Sequence, residues 1–477
     1  MRPLEFFLVF EIAAAAVCLL MGRGSRAVRL FMAAALLLTD TLAVVEGAHW
    51  QMAPVYLAAG VLFIAAWKSV GSQSRSQRFV ACSTVLLAFI GVLFSLLLPM
   101  FNLPEPTGNY PVGTAVLYFK DSTRIEDAGP AGNSARELMV QIWYPSQPSH
   151  HRFARYREKR ETNALSSYQS EILTHARLDA PMAHTGAPFP VILFNHSWGG
   201  RRTNYTFLTE ELASHGYVVV SIDHTYNASL VAFPDGREIH GNASNAINDP
   251  GSSSVSQVRA IWDKELAKSV ADQRFILDRI EAMNRAGGSL WFGGLNTKMT
   301  GAIGHSFGGA AATAVCAEDQ RVHAAVNLDG WFFGAIRARG PNQPLLVMDA
   351  FTEQPGDEYD PHDKVSSTLE TTDFAELRTS LQNFGGYMLL VKGASHEDFT
   401  DQSLISPFRI LSHRGMIPAR EIQKIVRSYV VAFFDKTLRG EDPEILGTHT
   451  SPFAEALLEE WSASRNGTVS SIGSGGQ

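Results

Sequence analysis

The sequence predicts an α/β fold with a mostly parallel sheet and helices on both faces, preceded by a helical region of about four membrane spans. Three observations carry that expectation. Apolar, β-branched runs alternate with helix-patterned segments beyond residue 102. Four long apolar stretches fill the first hundred residues. A single Gly-x-Ser-x-Gly pentapeptide joins a strand-like run to a small-residue helix.

The chain has 477 residues, with 40 Lys and Arg against 47 Asp and Glu, a net charge of −7. A mean hydropathy near zero hides a division. Residues 1–101 hold seven basic and four acidic side chains, whereas the remainder holds 33 and 43. An acidic bulk argues against nucleic-acid binding, which needs clustered positive charge. The three cysteines, Cys18, Cys82 and Cys316, are too few for a disulfide framework or a cysteine zinc site. No cofactor or metal is expected, and no protein partner is inferable.

The four apolar stretches cover residues 4–21, 30–45, 53–67 and 80–100, each near the length that crosses a bilayer as a helix. A secretory signal explains the first alone and not three more behind it. Basic residues set an orientation. Arg23, Arg26 and Arg29 lie in the first link and Lys68, Arg75 and Arg78 in the third; Arg2 stands alone at the N-terminus, and the next positive charge is Lys120. By the positive-inside rule, everything after Phe101 lies outside the cytoplasm of a multi-pass cell-membrane protein. Glu11 and Asp40 fall inside the stretches. They either sit protonated or snorkelling, or form a shared polar patch.

Residues 102–111 (NLPEPTGNYP) read as a short stiff linker. Strand-like runs follow at 138–144, 191–195, 217–222, 299–304, 322–328, 344–348 and 387–391, with helical patterns notably at 258–286 and 419–438. Strands buried on both faces and separated by helices imply a parallel sheet. The expected organisation is a transmembrane region at 1–101, one catalytic domain at 102–440, and a tail at 441–477 whose Ser/Gly-rich end is disordered.

The chemistry concentrates at 299–309 (MTGAIGHSFGG), which holds Gly304, His305, Ser306, Phe307 and Gly308. A strand before and a small-residue helix after are what a nucleophile elbow requires, because glycines let the two approach around a strained turn that lifts the hydroxyl clear of the sheet. A serine hydroxyl stays a weak nucleophile until a base takes its proton, and that base needs an orienting carboxylate. Both should follow the serine, each after a later strand. Beyond Ser306, His323 opens a strand, His362 sits in a charged loop, His413 precedes the last helix and His449 lies in the tail. His396, directly after the run 387–391, is therefore the base. For the acid the pattern leaves Asp329 and Asp349 open, since each ends a strand-like run. The oxyanion donors are the backbone N–H of Phe307 and, from the turn His196-Ser197-Trp198-Gly199-Gly200, that of Trp198.

At this point the chain resembles a known family. GHSFGG with NLDGW following, NHSWGG leading to ELASHGYVVVSIDH, and GASHEDFTD are similar to the type II platelet-activating factor acetylhydrolases, as are ELMVQIWYP (137–145) and TGNYPVGT (107–114). The resemblance covers residues 103–440 in order. It implies an α/β-hydrolase fold and a serine carboxylic-ester hydrolase that removes short or oxidised sn-2 acyl groups from phospholipids through an acyl-enzyme, without calcium. It also favours Asp329 over Asp349, because Asp329 stands at the family's acid position just before Gly-Trp. Ser197 departs from the glycine usual after His196, and residues 1–101 lie outside the likeness. Another carboxylesterase, cutinase-like, keeps the triad and changes only the pocket. A reading of a different class is a non-catalytic membrane sensor built on a hydrolase fold. A metal-dependent hydrolase is disfavoured, since His396, Glu397, Asp398 and Asp401 cluster without an i, i+4 histidine pair.

Overall fold

Continuous apolar runs such as FPVILFN, buried at every position, are the pattern of strands covered on both faces. The computed structural model describes residues 3–21, 25–45, 47–68, 75–126, 134–241, 254–334, 336–340, 343–351, 364–447 and 451–462. Its strands are β1 (Val112–Glu126), β2 (Ser134–Pro145), β3 (Phe153–Arg155), β4 (Leu173–Leu178), β5 (Phe189–Asn195), β6 (Val218–Asp223), β7 (Leu230–Ala232), β8 (Glu238–His240), β9 (Leu295–His305), β10 (Val322–Leu328), β11 (Leu345–Phe351), β12 (Gly386–Lys392) and β13 (Ala456–Trp461). Eleven of them form one sheet in the order β13-β12-β11-β10-β9-β5-β6-β2-β1-β4-β3, and β7 pairs with β8. From β6 through β5, β9, β10 and β11 to β12, every neighbouring pair is parallel. Antiparallel pairing begins only at the margins, where β13 joins β12, and β2 joins both β6 and β1.

The helices are α1 (Pro3–Leu20), α2 (Ser25–Val45), α3 (Ala53–Lys68), α4 (Arg75–Leu97), α5 (Thr206–Ser214), α6 (Val255–Arg285), α7 (Phe307–Glu318), α8 (Ile336–Arg339), α9 (Lys364–Phe384), α10 (Gln402–Ile405), α11 (Arg409–Ser412), α12 (Ala419–Phe434) and α13 (Glu444–Gly447). Consecutive residues of a strand point to opposite faces, and β9 shows what covers each. Ala302 joins the buried cluster that contains Ala310 of α7 and Ile276 of α6. Gly301 leaves room for Phe434 of α12, whose ring carbon stands 2.6 Å from where a Cβ would lie. The core of the sheet thus carries helices on both sides.

The α/β architecture agrees with the sequence reading, and the differences lie at the sheet margins. β1 alternates buried and exposed positions along VGTAVLYFKDSTRIE, so a search for continuous apolar runs passes over it. β13 pairs with β12 beyond residue 440, so the tail contributes an edge strand; its end, 463–477, lies outside the described residues.

By its contacts the chain forms two units. One comprises Met1–Asn102, Arg155–Leu173 and Leu404–Ser412; the other is Leu103–Ala154, Thr174–Ser403 and His413–Gln477. In the second, the linker is fastened to α5. Thr107 N–H donates to Glu211 Oε2 (2.9 Å), Gly108 N–H to Ser214 Oγ (3.0 Å) and Tyr110 N–H to the Ser214 carbonyl (3.0 Å). A Cβ at position 108 would collide with that carbonyl, which is why glycine stands there.

In the first unit, alanines share the interior with Leu8, Ile12, Met32, Leu42 and Leu62, and large apolar residues also cover the outside. Ala15, Ala16, Ala35, Ala58, Ala59 and Ala81 are buried, while Phe7, Phe10, Leu30, Leu37, Val44 and Phe79 are exposed. Among the described residues two helices, over Arg26–Val45 and Arg75–Leu97, are long and apolar enough to cross a membrane, which corrects the four expected. α3 has 16 residues, about 24 Å of helix against a hydrocarbon core of about 30 Å, and α1 carries Glu5 and Glu11. Glu5 is buried and faces His49 at 3.5 Å. Asp40 is exposed, and no bond joins it to Glu11 among the described residues, so the shared carboxylate patch does not form. Arg2 and Arg23 lie outside the described residues.

An ion cluster ties β1, β2 and α6 together in the second unit. The Arg136 guanidinium bonds Asp272 through Nε (3.1 Å) and Nη2 (2.6 Å), the Thr225 carbonyl (2.8 Å) and Glu126. Burial pushes the Asp272 carboxyl up, but Arg136 and His224 outweigh it and hold the group well below the usual carboxylate range. Arg136→Met removes the guanidinium that Asp272 and Glu126 share, leaving Asp272 paired with Arg124 alone of the two arginines (2.8 Å). It should lower unfolding stability of the full chain in lipid nanodiscs by about 3–5 kcal/mol; a loss below about 1 kcal/mol would mean the cluster does not act as a unit.

Candidate active site

β9 ends at His305 and α7 begins at Phe307, leaving Ser306 alone between them at φ 56°, ψ −125°. A serine takes that backbone only where its surroundings enforce it. Ser306 N–H donates to the Leu328 carbonyl (2.8 Å), and its own carbonyl accepts from Gly309 and Ala310 (2.8 and 3.2 Å). A Cβ at Gly304 would strike the Gly308 carbonyl, and one at Gly308 the Asn195 carbonyl, so strand and helix meet only because both are glycine.

Asp329 follows β10 directly, also at positive φ (53°), and His396 opens a 3₁₀ turn, His396–Phe399, shortly after β12. His396 Nδ1 lies 2.6 Å from Asp329 Oδ2, while Asp329 Oδ1 accepts from Ala350 N–H (2.7 Å). Both carboxylate oxygens are engaged, and the imidazole presents its Nε2 edge away from the acid. Asp349 lies within β11, opposite Leu390 of β12, because the strand runs on to Phe351. Of the other downstream histidines, His323 is the second residue of β10, and His413 is exposed with its carbonyl accepting from Ser395 Oγ (2.7 Å). His362 and His449 lie outside the described residues.

Phe307 is the first residue of α7, whose leading N–H groups have no intrahelical acceptor. In the turn after β5, Gly199 N–H donates to the Asn227 carbonyl (3.0 Å) and Gly200 N–H to the Ser197 carbonyl (2.8 Å). The intervening Trp198 N–H has no protein partner among the described residues. The Trp198 and Phe307 rings meet edge to face at 5.4 Å, which brings the two donor-bearing residues side by side.

Several groups hold positions whose role the sequence alone does not reveal. Ser197 N–H donates to Tyr205 Oη (2.9 Å), whose hydrogen goes to His305 Nδ1 (3.1 Å); His305 Nε2–H donates to the His396 carbonyl (2.9 Å). A carbonyl only accepts, so Nε2 carries the proton. One chain of bonds therefore runs from the turn bearing Trp198 to the backbone of His396. It also accounts for Ser197 in a place the family gives to glycine, since Tyr205 also bonds its hydroxyl at 3.1 Å. Asp401 fastens the histidine loop from its far end, accepting from Thr206 N–H (2.7 Å) and Phe207 N–H (3.2 Å) at the start of α5. His305, Asp329 and His396 bring their ligand-type atoms within 4.8 Å of one another, yet both nitrogens of His305 and both oxygens of Asp329 are already hydrogen-bonded.

A mostly parallel sheet bearing a serine at a strand–helix elbow, with an Asp–His pair after later strands, defines an α/β-hydrolase. Within that class the chain belongs to the platelet-activating factor acetylhydrolase, isoform II family, whose model matches residues 98–236 and 291–444. The dienelactone hydrolase family model also matches, over 176–353. A platelet-activating factor acetylhydrolase of Cavia porcellus is 24% identical over 71% of this chain and 78% of its own. A probable 1-alkyl-2-acetylglycerophosphocholine esterase of Arthroderma benhamiae is 23% identical over 79% of this chain and 98% of its own. Among solved structures, a ferulic acid esterase from Streptomyces cinnamoneus is similar with a TM-score of 0.60 and 30% identity, over 75% of this chain and 99% of that one. The chain is a carboxylic-ester hydrolase.

The turn bearing Trp198 depends on a neutral histidine. His196 accepts from the His224 N–H at Nε2 (3.1 Å) and donates from Nδ1 to the Ser197 carbonyl (2.7 Å). Full burial, reinforced by His224, lowers its pKa from 6.5 to about 4. Below about pH 6.5 the unfolded chain binds a proton that the folded chain refuses, so stability is flat above that pH and falls toward pH 4, by about 3 kcal/mol for this group. Between about pH 7.5 and pH 5 the thermal midpoint of the wild type should fall further than that of His196→Gln. Parallel slopes would show that His196 is not the titrating group.

Proposed function

We propose that this chain is a membrane-held serine esterase that cleaves short or oxidised sn-2 acyl groups from glycerophospholipids. The 2.6 Å contact between His396 Nδ1 and Asp329 Oδ2, downstream of an elbow that displays Ser306, carries the catalytic reading. Ser306 Oγ adds to the ester carbonyl carbon while His396 Nε2 takes its proton, and Asp329 steadies the resulting imidazolium through Nδ1–H. The Phe307 and Trp198 N–H groups meet the negative charge that develops on the carbonyl oxygen. As the bond to the leaving oxygen breaks, His396 returns the proton to it and the acyl group stays on Ser306. Water, deprotonated by His396, then adds to the acyl carbon and releases the carboxylic acid.

The substrate class is carried over from the names of the guinea-pig and fungal relatives. An aromatic wall agrees with a short acyl group. Phe307 lies 6.0 Å from Phe333, which lies 4.5 Å from Trp262 and 6.2 Å from Trp331. The likeness to a ferulic acid esterase over 99% of that chain favours a second reading, in which the same wall receives an aromatic acyl group.

Membrane attachment rests on the length and apolarity of α2 and α4, and on the large apolar side chains exposed along the helices, among them Phe7, Phe10, Leu30, Leu37 and Phe79. Arg26 and Arg29 flank the start of the α2 apolar run, and Arg75 and Arg78 the start of α4.

Asp329→Asn should lower kcat by about 10⁴-fold and Asp349→Asn by less than about tenfold. The reverse ranking would make Asp349 the acid. Purified full chain should hydrolyse acetyl and short oxidised phospholipids with higher kcat/KM than feruloyl esters; a preference for feruloyl esters would establish the second reading.

A further inference from the structure

Within the first unit, the link between α2 and α3 and residues 159–171 border a half-open cavity of about 380 Å³, with Lys159 and Asn163 at its exposed side. That is within the range of small-ligand pockets, about 300–1,000 Å³. His49, Trp50, Lys159, Asn163, Ser167 and Glu171 are among its lining residues, and none of the lining belongs to the candidate active site.

The cavity sits where the apolar helices stop. α1 begins here, since Glu5 faces His49 at 3.5 Å. α2 ends and α3 begins here, and α4 ends here, since Gln51 Nε2 donates to the Leu98 carbonyl (3.2 Å) and the Trp50 ring meets Phe94 at 5.5 Å. A tryptophan at the end of apolar helices marks the depth of lipid headgroups.

The walls are fixed and leave two donors over. Trp50 Nε1–H donates across the cavity wall to the Leu165 carbonyl (3.0 Å). Asn163 Oδ1 accepts from the Leu165 and Ser166 N–H groups (3.0 Å each), which immobilises the side chain and leaves its Nδ2 donors unused among the described residues. Thr162 and Ser167 spend their hydroxyl hydrogens on the Lys159 and Ala164 carbonyls (2.7 and 3.0 Å). The carboxylate of Glu171 is paired with Arg155 (2.8 Å), whereas the Lys159 ammonium has no acidic partner among the described residues. Arg155, Arg157, Lys159 and Arg160 outnumber Glu158 and Glu161 in residues 155–161, a local excess of positive charge that favours an anion. A free ammonium and a free amide N–H₂ beside hydroxyl oxygens suit phosphate oxygens.

We infer that this cavity binds the phosphate-bearing headgroup of a phospholipid as a resident, non-substrate ligand that fixes the depth of the helical unit in the leaflet. The inference rests on the membrane reading above. The test uses the full chain carrying Ser306→Ala, so that bound lipid is not consumed, delipidated in detergent and titrated with phosphatidylglycerol or phosphatidylcholine. Native mass spectrometry counts the lipid retained. One phospholipid should be retained, and Lys159→Ala together with Asn163→Ala should weaken it by about tenfold or more, while Lys159→Arg restores it. Glycerol 3-phosphate should compete and diacylglycerol should not be retained; competition by inorganic phosphate alone, without lipid retention, would overturn the lipid assignment. Equal retention by the double variant with an unchanged thermal midpoint, or equal retention of diacylglycerol, would overturn the site. Alkaline carbonate extraction of membranes carrying the full chain separates the two claims. A chain that stays in the membrane while the double variant keeps its lipid loses only the headgroup site, whereas a chain that is extracted loses the membrane reading and this site with it.

Discussion

Ser306 holds a left-handed backbone because β9 and α7 cross too closely for any ordinary turn between them, and the rest of the site is arranged around that crossing. Gly304 and Gly308 remove the side chains that would keep strand and helix apart. The same crossing brings the Asn195 carbonyl, at the end of β5, against the start of α7, so backbone contact draws the turn bearing Trp198 to the elbow, where Tyr205 and the Trp198–Phe307 ring pair also hold it. The N–H of Ser306 is meanwhile held by the carbonyl of Leu328, the residue before Asp329. Ser306, Asp329 and the turn bearing Trp198 therefore share one rigid origin. A strained residue of this kind costs about 1–3 kcal/mol and persists only where the surroundings over-determine it.

The histidine comes from a different place and needs its own support. It stands on a 3₁₀ turn after β12, and short turns of that kind are poorly fixed by their own hydrogen bonds. His305 corrects this from the elbow itself, by donating to the His396 carbonyl while its ring stacks near the other imidazole at 4.4 Å. Burial and the neighbouring His396 hold the His305 pKa well below its ordinary value, so it remains neutral with one donor and one acceptor. That single protonation state lets it receive Tyr205 on one side and support His396 on the other.

The parallel centre of the sheet was legible because doubly buried strands write themselves as unbroken apolar runs; β10 was read to the residue, Val322–Leu328. The margins were not, since β1 is amphipathic and β13 carries only short apolar content between charged residues, ALLEEW. Ser306 and His396 stood out by motif and by elimination. The choice between Asp329 and Asp349 could not be read from pattern, because it depends on where β10 and β11 stop: β10 ends before Asp329, while β11 continues past Asp349. Tyr205 had no signature, and Asp401 stood in GASHEDFTD with no positioning role to be read from it. Their roles come from long-range approach, and a lone Tyr or Asp in a loop looks the same whether it spans two segments or faces water. In the helical region, hydropathy gave four stretches, whereas among the described residues only α2 and α4 combine the length and apolarity of a span, α3 being a turn or more too short.

The central claim is that the Ser306 hydroxyl forms the covalent intermediate. The most direct measurement is intact-mass and peptide mapping of the active full chain after brief exposure to a fluorophosphonate. The account predicts a single phosphonyl adduct, on Ser306, appearing in step with loss of esterase activity. An adduct on a different residue, or complete inactivation without one on Ser306, would contradict it.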